Sequence, residues 1–368
     1  MPSQPWRLAA ALVAACCLGA AGCGSDSDSD SGSDRAAERP AAAAPDLAPV
    51  KAFLLDHTER LSQHTDKLRA QAEEYYKLAE AADFDYAELL ATRRADVRRF
   101  VKDAQATFAK ANPDYEEMEG VVAGVPSLAD YDVSIDAGSD GSDPESAVPF
   151  SLKTPAGKVY KQPGNYNYLI ETSAFGTDPK WAAKGVKPDL DGDGKVEFGE
   201  AMPDADFYVT AARDMDSTVK DLDASARKWK PNAQDAFTAL VVMTPTMSEY
   251  FEAWKNSRFV AGAKAKEKAF VVASRLQDIA DILGGLETVY AGVAPQIASV
   301  DDAQAAQTRR ELRSLTAFAE RLRDAEAGGR RFTAEEAETL GTDAQARAEA
   351  IAGQVSQAAG RLGIDLEA

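Results

Sequence analysis

The chain has 368 residues, of which 45% are hydrophobic and 27% are charged, a composition typical of a globular protein. Its formal net charge of −19 produces a surface that repels phosphate backbones, so we expect no nucleic-acid partner. Metal cations and basic partners remain compatible with this charge.

The N-terminus has the features of an export signal. Arg7 precedes an apolar run from Leu8 to Ala21 that is too short to span a bilayer and is typical of a signal peptide. Small residues directly before Cys23 resemble a bacterial lipobox, which predicts a signal peptide over residues 1–22 and lipidation of Cys23. The protein is then extracytoplasmic and bound to the bacterial cell membrane through this lipid. Cleavage by a general signal peptidase is the alternative.

Residues 23–49 are rich in Ser and Asp and then in Ala and Pro, which predicts a disordered tether. Apolar residues next recur at steps of three and four, which predicts helices over about 50–75 and 86–110. Asn112 and Pro113 then predict the N-cap and first position of a separate short helix.

The middle of the chain loses this periodicity. Residues 120–165 are rich in Gly, Pro, Ser and Asp and predict a long irregular connection, of the kind that often lines functional sites. A short strand pair is predicted near 150–152 and 158–160, and a short helix around 166–175.

The rest of the chain is predicted to be helical almost to its end, and an all-α bundle follows as the fold class. These helices are expected over 204–229, 232–256, 263–283, 286–298, 301–326 and 333–362. All three cysteines lie in the leader, so the folded domain is predicted to lack disulfides and thiol chemistry.

One segment between the two halves has the spacing of an EF-hand calcium loop, with Gly194 at the sharp turn and Glu197 at the position that often acts through water. The predicted Ca²⁺ ligands fall at loop positions 1, 3, 5, 7 and 12, the fourth of them through its carbonyl: Asp189, Asp191, Asp193, Lys195 and Glu200. A solvated acidic turn is the alternative. Pro188 and Pro203 prevent helices from running smoothly into the loop, and it has no second copy, which favours a structural calcium site over a sensor.

His57 and His64 are the only histidines, and both fall on the inward stripe of the first helix. They are interpreted either as partly buried bundle residues or as part of a transition-metal site with acids such as Glu119 and Glu171. No nucleophile motif is present, which favours a protein that is not an enzyme.

Four stretches in order resemble the imelysin-like family, which includes EfeO-type iron-uptake lipoproteins: 115–120 (YEEMEG), 135–136 (ID), 165–171 (NYNYLIE) and 250–255 (YFEAWK). The resemblance implies two packed helical bundles related as a pseudo-repeat, here over 50–188 and 201–368, joined by the loop at 189–200. The family's hallmark is G-x-H-x-x-E. In this chain Glu171 is kept and Tyr168 replaces the histidine, so peptidase or metal-binding activity does not transfer directly.

These features predict a calcium-binding lipoprotein of imelysin-like type, without enzymatic activity, whose cleft captures a metal ion, a saccharide or a protein. The alternative is an EfeO-type component for uptake of iron or another transition metal, using Glu171, Glu119 and His57 or His64. A metallopeptidase is a third, less favoured hypothesis, because the hydrolytic constellation is missing.

Overall fold

The computed structural model describes residues 44–366, so the predicted signal peptide, Cys23 and most of the tether lie outside it. No helix in this range is long and apolar enough to cross a membrane. The helices are α1 (Ala48–Ala81), α2 (Tyr86–Val122), α3 (Ala129–Asp132), α4 (Tyr166–Phe175), α5 (Ala205–Lys228), α6 (Ala233–Met243), α7 (Met247–Asn256), α8 (Arg258–Ala261), α9 (Arg275–Ala298), α10 (Asp302–Ala327) and α11 (Ala334–Leu362). The predicted all-α class is confirmed.

Short elements join these helices. A π-helix over Val133–Ala137 continues α3, and one antiparallel hairpin is formed by β1 (Ser151–Lys153) and β2 (Val159–Lys161). Leu152 pairs with Tyr160, within one residue of the predicted strand pair. Three-residue 3₁₀ turns cover Pro179–Trp181, Thr244–Thr246 and Gly262–Lys264.

Several helix ends follow directly from the sequence. The side chain of Asn165 accepts the Tyr168 N–H at the start of α4, and Gly176 ends that helix in the left-handed conformation. A capping box begins α11, since Thr333 and Glu336 exchange hydrogen bonds. These caps explain why the predicted bounds of α4 and α11 agree with the structure to within one residue.

The helices pack around α2 and α9. Helix α1 lies against α2 and α5, α4 contacts α2 and α5, and α9 packs on α2 and carries α10. Helix α11 packs on α6, α7 and α10. Helix α5 follows the predicted calcium loop and packs against α1, where Arg69 and the buried Asp216 are 3.0 Å apart. Residues after 200 therefore pack in two places: α5 lies against α1 and α4, and α11 lies against α6, α7 and α10.

The separate helix predicted at Asn112-Pro113 is wrong, because α2 continues through Pro113 to Val122. Proline removes one backbone N–H from a helix and crowds the preceding turn. Apolar side chains on both sides of it, including Phe108, Tyr115 and Met118, are nevertheless buried in the core. Tertiary packing therefore overrides the local signal.

The helices predicted over 263–283 and 286–298 are also wrong in their bounds. Residues 265–274 are irregular, Ser274 caps α9, and α9 runs unbroken through Gly284 and Gly285. Phe270 was expected on a helix face but has φ +53°, a left-handed conformation that L-residues with large side chains rarely adopt. A buried carboxylate holds this segment, as described below.

Candidate functional site

The predicted calcium loop brings three carboxylates together. One oxygen each of Asp189, Asp191 and Asp193 lies within 4.8 Å of the others. Gly194 has φ +90°, a conformation that glycine adopts without steric cost, and its N–H donates to Asp189 at 3.1 Å. The loop backbone therefore holds a set of hard oxygen donors of the kind that Ca²⁺ prefers.

Glu200 closes the loop end to end. One of its carboxylate oxygens accepts the N–H groups of Leu190 and Asp191 at 2.9 and 3.1 Å, and the other accepts that of Glu197 at 2.8 Å. Lys195, whose carbonyl is a predicted ligand, is exposed. The five predicted calcium residues thus share one short loop, with Glu200 already positioned by backbone amides.

The loop is attached to the helical core by its neighbours. The side-chain amide of Gln105 on α2 donates to the carbonyl of Ala174 in α4 at 2.9 Å and to that of Gly199 at 2.8 Å. The Arg258 guanidinium at the start of α8 lies 3.3 Å from the centroid of the Phe198 ring. Order in the loop is therefore linked to three helices.

The base of the loop is closed by backbone contacts instead of the helix pair of an ordinary EF-hand. Ala183 N–H donates to the carbonyl of Met202, and Asp204 N–H donates to that of Trp181, each at 2.8 Å. No α-helix lies between Trp181 and the start of α5, as the flanking prolines predict. A loop with this base has no pair of helices to open on binding an ion.

Tyr168 and Glu171, the two α4 residues that the sequence predicts for the family motif, both have hydrogen-bond partners. The Tyr168 hydroxyl donates to Asp178 at 2.7 Å, and Lys268 lies 3.1 Å from the same carboxylate. Glu171 accepts the backbone N–H groups of Phe270, Val271 and Val272 at 2.6–2.9 Å. Glu171 therefore fixes the irregular segment before α9, since these amides have no helical partner.

Burial raises the pKa of Glu171 to about 7, although the three amides that bind it favour the ionised form. Desolvation is thus the larger effect at this carboxyl. The segment that contains the left-handed Phe270 is therefore held by hydrogen bonds to a single side chain.

A buried acidic centre surrounds Arg275 at the start of α9. Its guanidinium lies 3.1 Å from Glu116, 3.2 Å from Asp278 and 3.7 Å from Asp136. The Tyr250 ring centroid lies 4.5 Å from the guanidinium carbon, so aromatic stacking adds to the ion pairs. One arginine faces several carboxylates in a region with little solvent.

Glu119 completes this centre and accepts the Tyr250 hydroxyl at 2.7 Å. One oxygen each of Glu116, Glu119 and Asp136 lies within 4.8 Å of the others. Burial, followed by the charge of Asp136, raises the pKa of Glu119 to about 7; burial and Asp278 raise that of Glu116 well above its usual range. Oε1 of Glu116 and Oε2 of Glu119 are buried and have no hydrogen-bond partner among the described residues.

The two histidines pair with other acids. His57 Nε2 lies 3.1 Å from Glu117, and His64 Nδ1 lies 2.8 Å from Asp114. Arg60 stands beside both pairs. The metal-competent groups among residues 44–366 contain neither histidine, and the structure places Glu171 against the segment before α9. Glu119 is thus the one member of the predicted second site that lies in a carboxylate cluster.

A cavity of about 340 Å³ lies between the π-helix, the start of α4 and residues 267–270. Tyr168, Glu171 and Asp136 line it, so two side chains of α4 and the edge of the acidic centre face the same space. A volume of this size is at the lower end of the range for small-molecule sites.

Sequence reasoning missed Arg275 and Asp278, because both lie in a stretch interpreted as an ordinary amphipathic helix face. The available signal was a basic residue followed three positions later by an acid on an otherwise apolar stripe. That pattern is common on exposed helices and gives no indication of burial.

The fold and this centre define a helical-bundle protein with a ligand-sized cavity beside buried carboxylates. The family model described as imelysin (peptidase family M75) matches residues 170–357, about half of the chain, from the middle of α4 to near the end of α11. The chain belongs to the imelysin family, which confirms the resemblance seen in the sequence. No curated protein matches it.

Proposed function

We propose that the protein is an exported, lipid-anchored binding protein of the imelysin family, without catalytic activity, whose loop from Asp189 to Glu200 holds one structural Ca²⁺ ion. The observation that carries this proposal is the convergence of Asp189, Asp191 and Asp193 in a loop that turns at Gly194. Loops of this spacing bind calcium through carboxylate and carbonyl oxygens.

A structural role for calcium is supported by the loop's attachments. Gln105 binds the carbonyls of Ala174 and Gly199, and Phe198 lies under Arg258. Neutralising three adjacent carboxylates would remove their mutual repulsion and stabilise this connection between α4 and α5. Calcium sites in extracellular modules bind at ~10⁻⁴–10⁻³ M, which suits an exported protein.

A role without catalysis is supported by the motif residues on α4. In the alignment that the sequence predicts, Tyr168 replaces the histidine of the family motif, and its hydroxyl donates a hydrogen bond to Asp178. Both oxygens of Glu171 accept backbone amides. A metal ligand or a general base in metal-assisted hydrolysis needs a free lone pair facing the reacting atoms. Both side chains instead use their oxygens in hydrogen bonds within the protein.

Anchoring through a lipid on Cys23 is proposed from the leader sequence, which lies outside the described residues. It would hold the domain at the extracytoplasmic face of the bacterial cell membrane. The net charge of −19 makes a nucleic-acid partner unfavourable.

Thermal unfolding with and without calcium tests the proposal. Calcium at about 100 times its Kd stabilises a protein by about 2.7 kcal/mol, so we expect the Tm of the wild type to fall by several degrees on chelation. Asp191→Ala and Glu200→Ala should lower the Tm and remove this dependence, whereas the exposed Asp130→Asn should retain it. Identical wild-type melts with calcium and with chelator would exclude the structural role.

A second candidate function, uptake of a transition metal, is favoured by one observation. Glu116 and Glu119 each bury an oxygen that has no hydrogen-bond partner among residues 44–366, and Asp136 lies beside them. These three carboxylates would hold the metal as cargo, next to Arg275. Stoichiometric iron, copper or zinc in the purified protein, lost in Glu119→Gln, would establish this function; a metal content that Glu119→Gln leaves unchanged would exclude the site.

A further inference from the structure

The charged side chains that line the cavity between the π-helix, α4 and residues 267–270 are all acidic. Its acidic lining residues are Asp136, Asp140, Glu171 and Glu267, and no lysine or arginine is among the residues that line it. Two cations lie close to the cavity, and both are already paired: Lys268 lies 3.1 Å from Asp178, and Arg275 of the buried acidic centre lies 3.7 Å from Asp136. A cleft lined by one sign of charge concentrates ligands of the opposite sign, so the cavity favours a cation.

The hydrogen-bonding groups of the lining are mainly acceptors. The side-chain amide N–H groups of Asn112 and Asn167 donate to Asp278 and Asp136, respectively, each at 3.0 Å. The amide oxygens of both side chains therefore remain as acceptors for a ligand. Carboxylates likewise only accept when ionised. An ammonium group has three donors and no acceptor, and thus complements this lining better than a hydroxyl of a saccharide.

The arrangement of the carboxylates separates an organic cation from a metal ion. Of the four acids, only Asp136 belongs to a convergent group among the described residues, and its companions Glu116 and Glu119 do not line the cavity. Asp140 and Glu267 lie on separate segments of its wall. A metal ion needs several oxygens at about 2.0–2.6 Å, whereas dispersed acids suit a longer molecule with more than one charge.

Aromatic side chains supply the rest of the wall. Phe108, Tyr168 and Phe270 line the cavity, and such rings pack against alkyl chains. The Arg275 guanidinium already covers one face of Phe270, at 4.3 Å from the ring centroid. Phe270 is held at φ +53° by the bonds of its segment to Glu171. Strained residues of this kind are concentrated at ligand sites.

We propose that this cavity binds a small organic cation, an aliphatic di- or polyamine. Its ammonium groups are held by Asp140 and Glu267, and its alkyl chain lies against the aromatic wall. This inference rests on the proposed function as a binding protein and specifies the class of its ligand.

Isothermal titration of the full chain with spermidine in calcium-containing buffer tests this inference. We expect saturable binding with a stoichiometry of one, and no binding of glucose. Glu267→Gln should weaken spermidine binding at least about tenfold, because it removes one charged acceptor. The remaining amide oxygen can still accept the N–H groups of Lys268 and Ala269, so the fold should be retained.

Glu349→Gln is the matched control, since Glu349 lines a different cavity of about 400 Å³ between α7 and α11 and the charge change is identical. It should leave spermidine affinity unchanged. No saturable binding, or equal weakening in both variants, would overturn the ligand class. Binding of zinc or iron without spermidine binding would also overturn it and support metal uptake. The calcium melts are independent of these titrations, so failure of either proposal is recognised separately.

Discussion

His57 shows what burial does to a single titratable side chain. Its ring lies 4.3 Å from that of Phe53, and burial, followed by the charge of Arg60, lowers its pKa to about 4. A histidine in the unfolded chain titrates near pH 6.5. Between pH 6.5 and 4 the unfolded state therefore binds more protons than the folded state. His57 contributes stability above this window, and the contribution is lost as the pH falls through it.

We expect the free energy of unfolding of His57→Gln to fall less than that of the wild type when the pH is lowered from 7 to 5. Burial raises the pKa of Glu119 and Glu171 to about 7, so these two groups stabilise the folded state at low pH and lose that contribution as the pH rises. Their effect on the pH dependence of stability is therefore opposite to that of His57. The difference between wild type and variant in urea titrations at pH 7, 6 and 5 isolates the histidine. Equal pH dependence in both proteins would contradict the assignment.

At the residue scale the sequence predicted some positions and missed others. The sequence predicted that Asp189, Asp191 and Asp193 lie together, because calcium loops need ligands at fixed local spacing, and their carboxylates do converge. Calcium binding there stays a prediction. Arg275 was missed, since its partners Glu116 and Asp136 are more than 130 positions away in the chain and no local pattern indicates that these charges meet.

At the scale of helices, the contact between α2 and α9 depends on a glycine. A Cβ atom at Gly285 would lie 2.1 Å from the carbonyl oxygen of Glu117 on α2, which is closer than real contacts allow. At the adjacent Gly284 an added Cβ meets nothing within 4 Å. Substitution of Gly285 by alanine therefore tests the close packing of the helices, whereas the same substitution at Gly284 changes only helix propensity.

We expect Gly285→Ala to destabilise the protein by about 1–3 kcal/mol, the usual effect of overpacking a core contact. Gly284→Ala should stabilise it by up to about 1 kcal/mol, because alanine is the better helix former. Denaturant unfolding of both variants measures the difference. A stabilised Gly285→Ala protein would show that the helices are not in such close contact.

The same glycines explain an error in predicting the elements. The predicted helices end before Gly284 and begin again after Gly285, but α9 is continuous there, and Gly285 allows α2 to approach it closely. Long, strongly periodic helices with clear caps, such as α10 and α11, were predicted almost to the residue. Residues 265–274 were not, because Glu171 supplies acceptors that no local pattern contains.

At the scale of the whole molecule, Arg275 connects several elements at once. It joins the start of α9 to Glu116 on α2 and to Asp136 in the π-helix, and it stacks on Tyr250 of α7. Buried ion pairs add little net stability when they are complete. Removing one partner is costly, because the remaining charges stay in a region of low dielectric.

We therefore expect Arg275→Met to lower the free energy of unfolding by about 3–5 kcal/mol. Adding Glu116→Gln should recover part of this loss, because it removes one uncompensated charge. A double-mutant cycle measured by chemical denaturation gives the coupling energy between the two positions. Additive effects would show that the two groups do not interact in the folded protein.

The sequence by itself determined the helical class, and it predicts the export signal at Cys23 and the ligand spacing of a calcium loop. Each depends on residues close together in the chain, through helical periodicity, the small residues of the leader and loop geometry. Only the tertiary structure decided that Arg275 lies among Glu116, Asp278 and Asp136, and that Glu171 holds the segment before α9. Burial determines those electrostatic interactions, and burial arises when helices distant in sequence pack together.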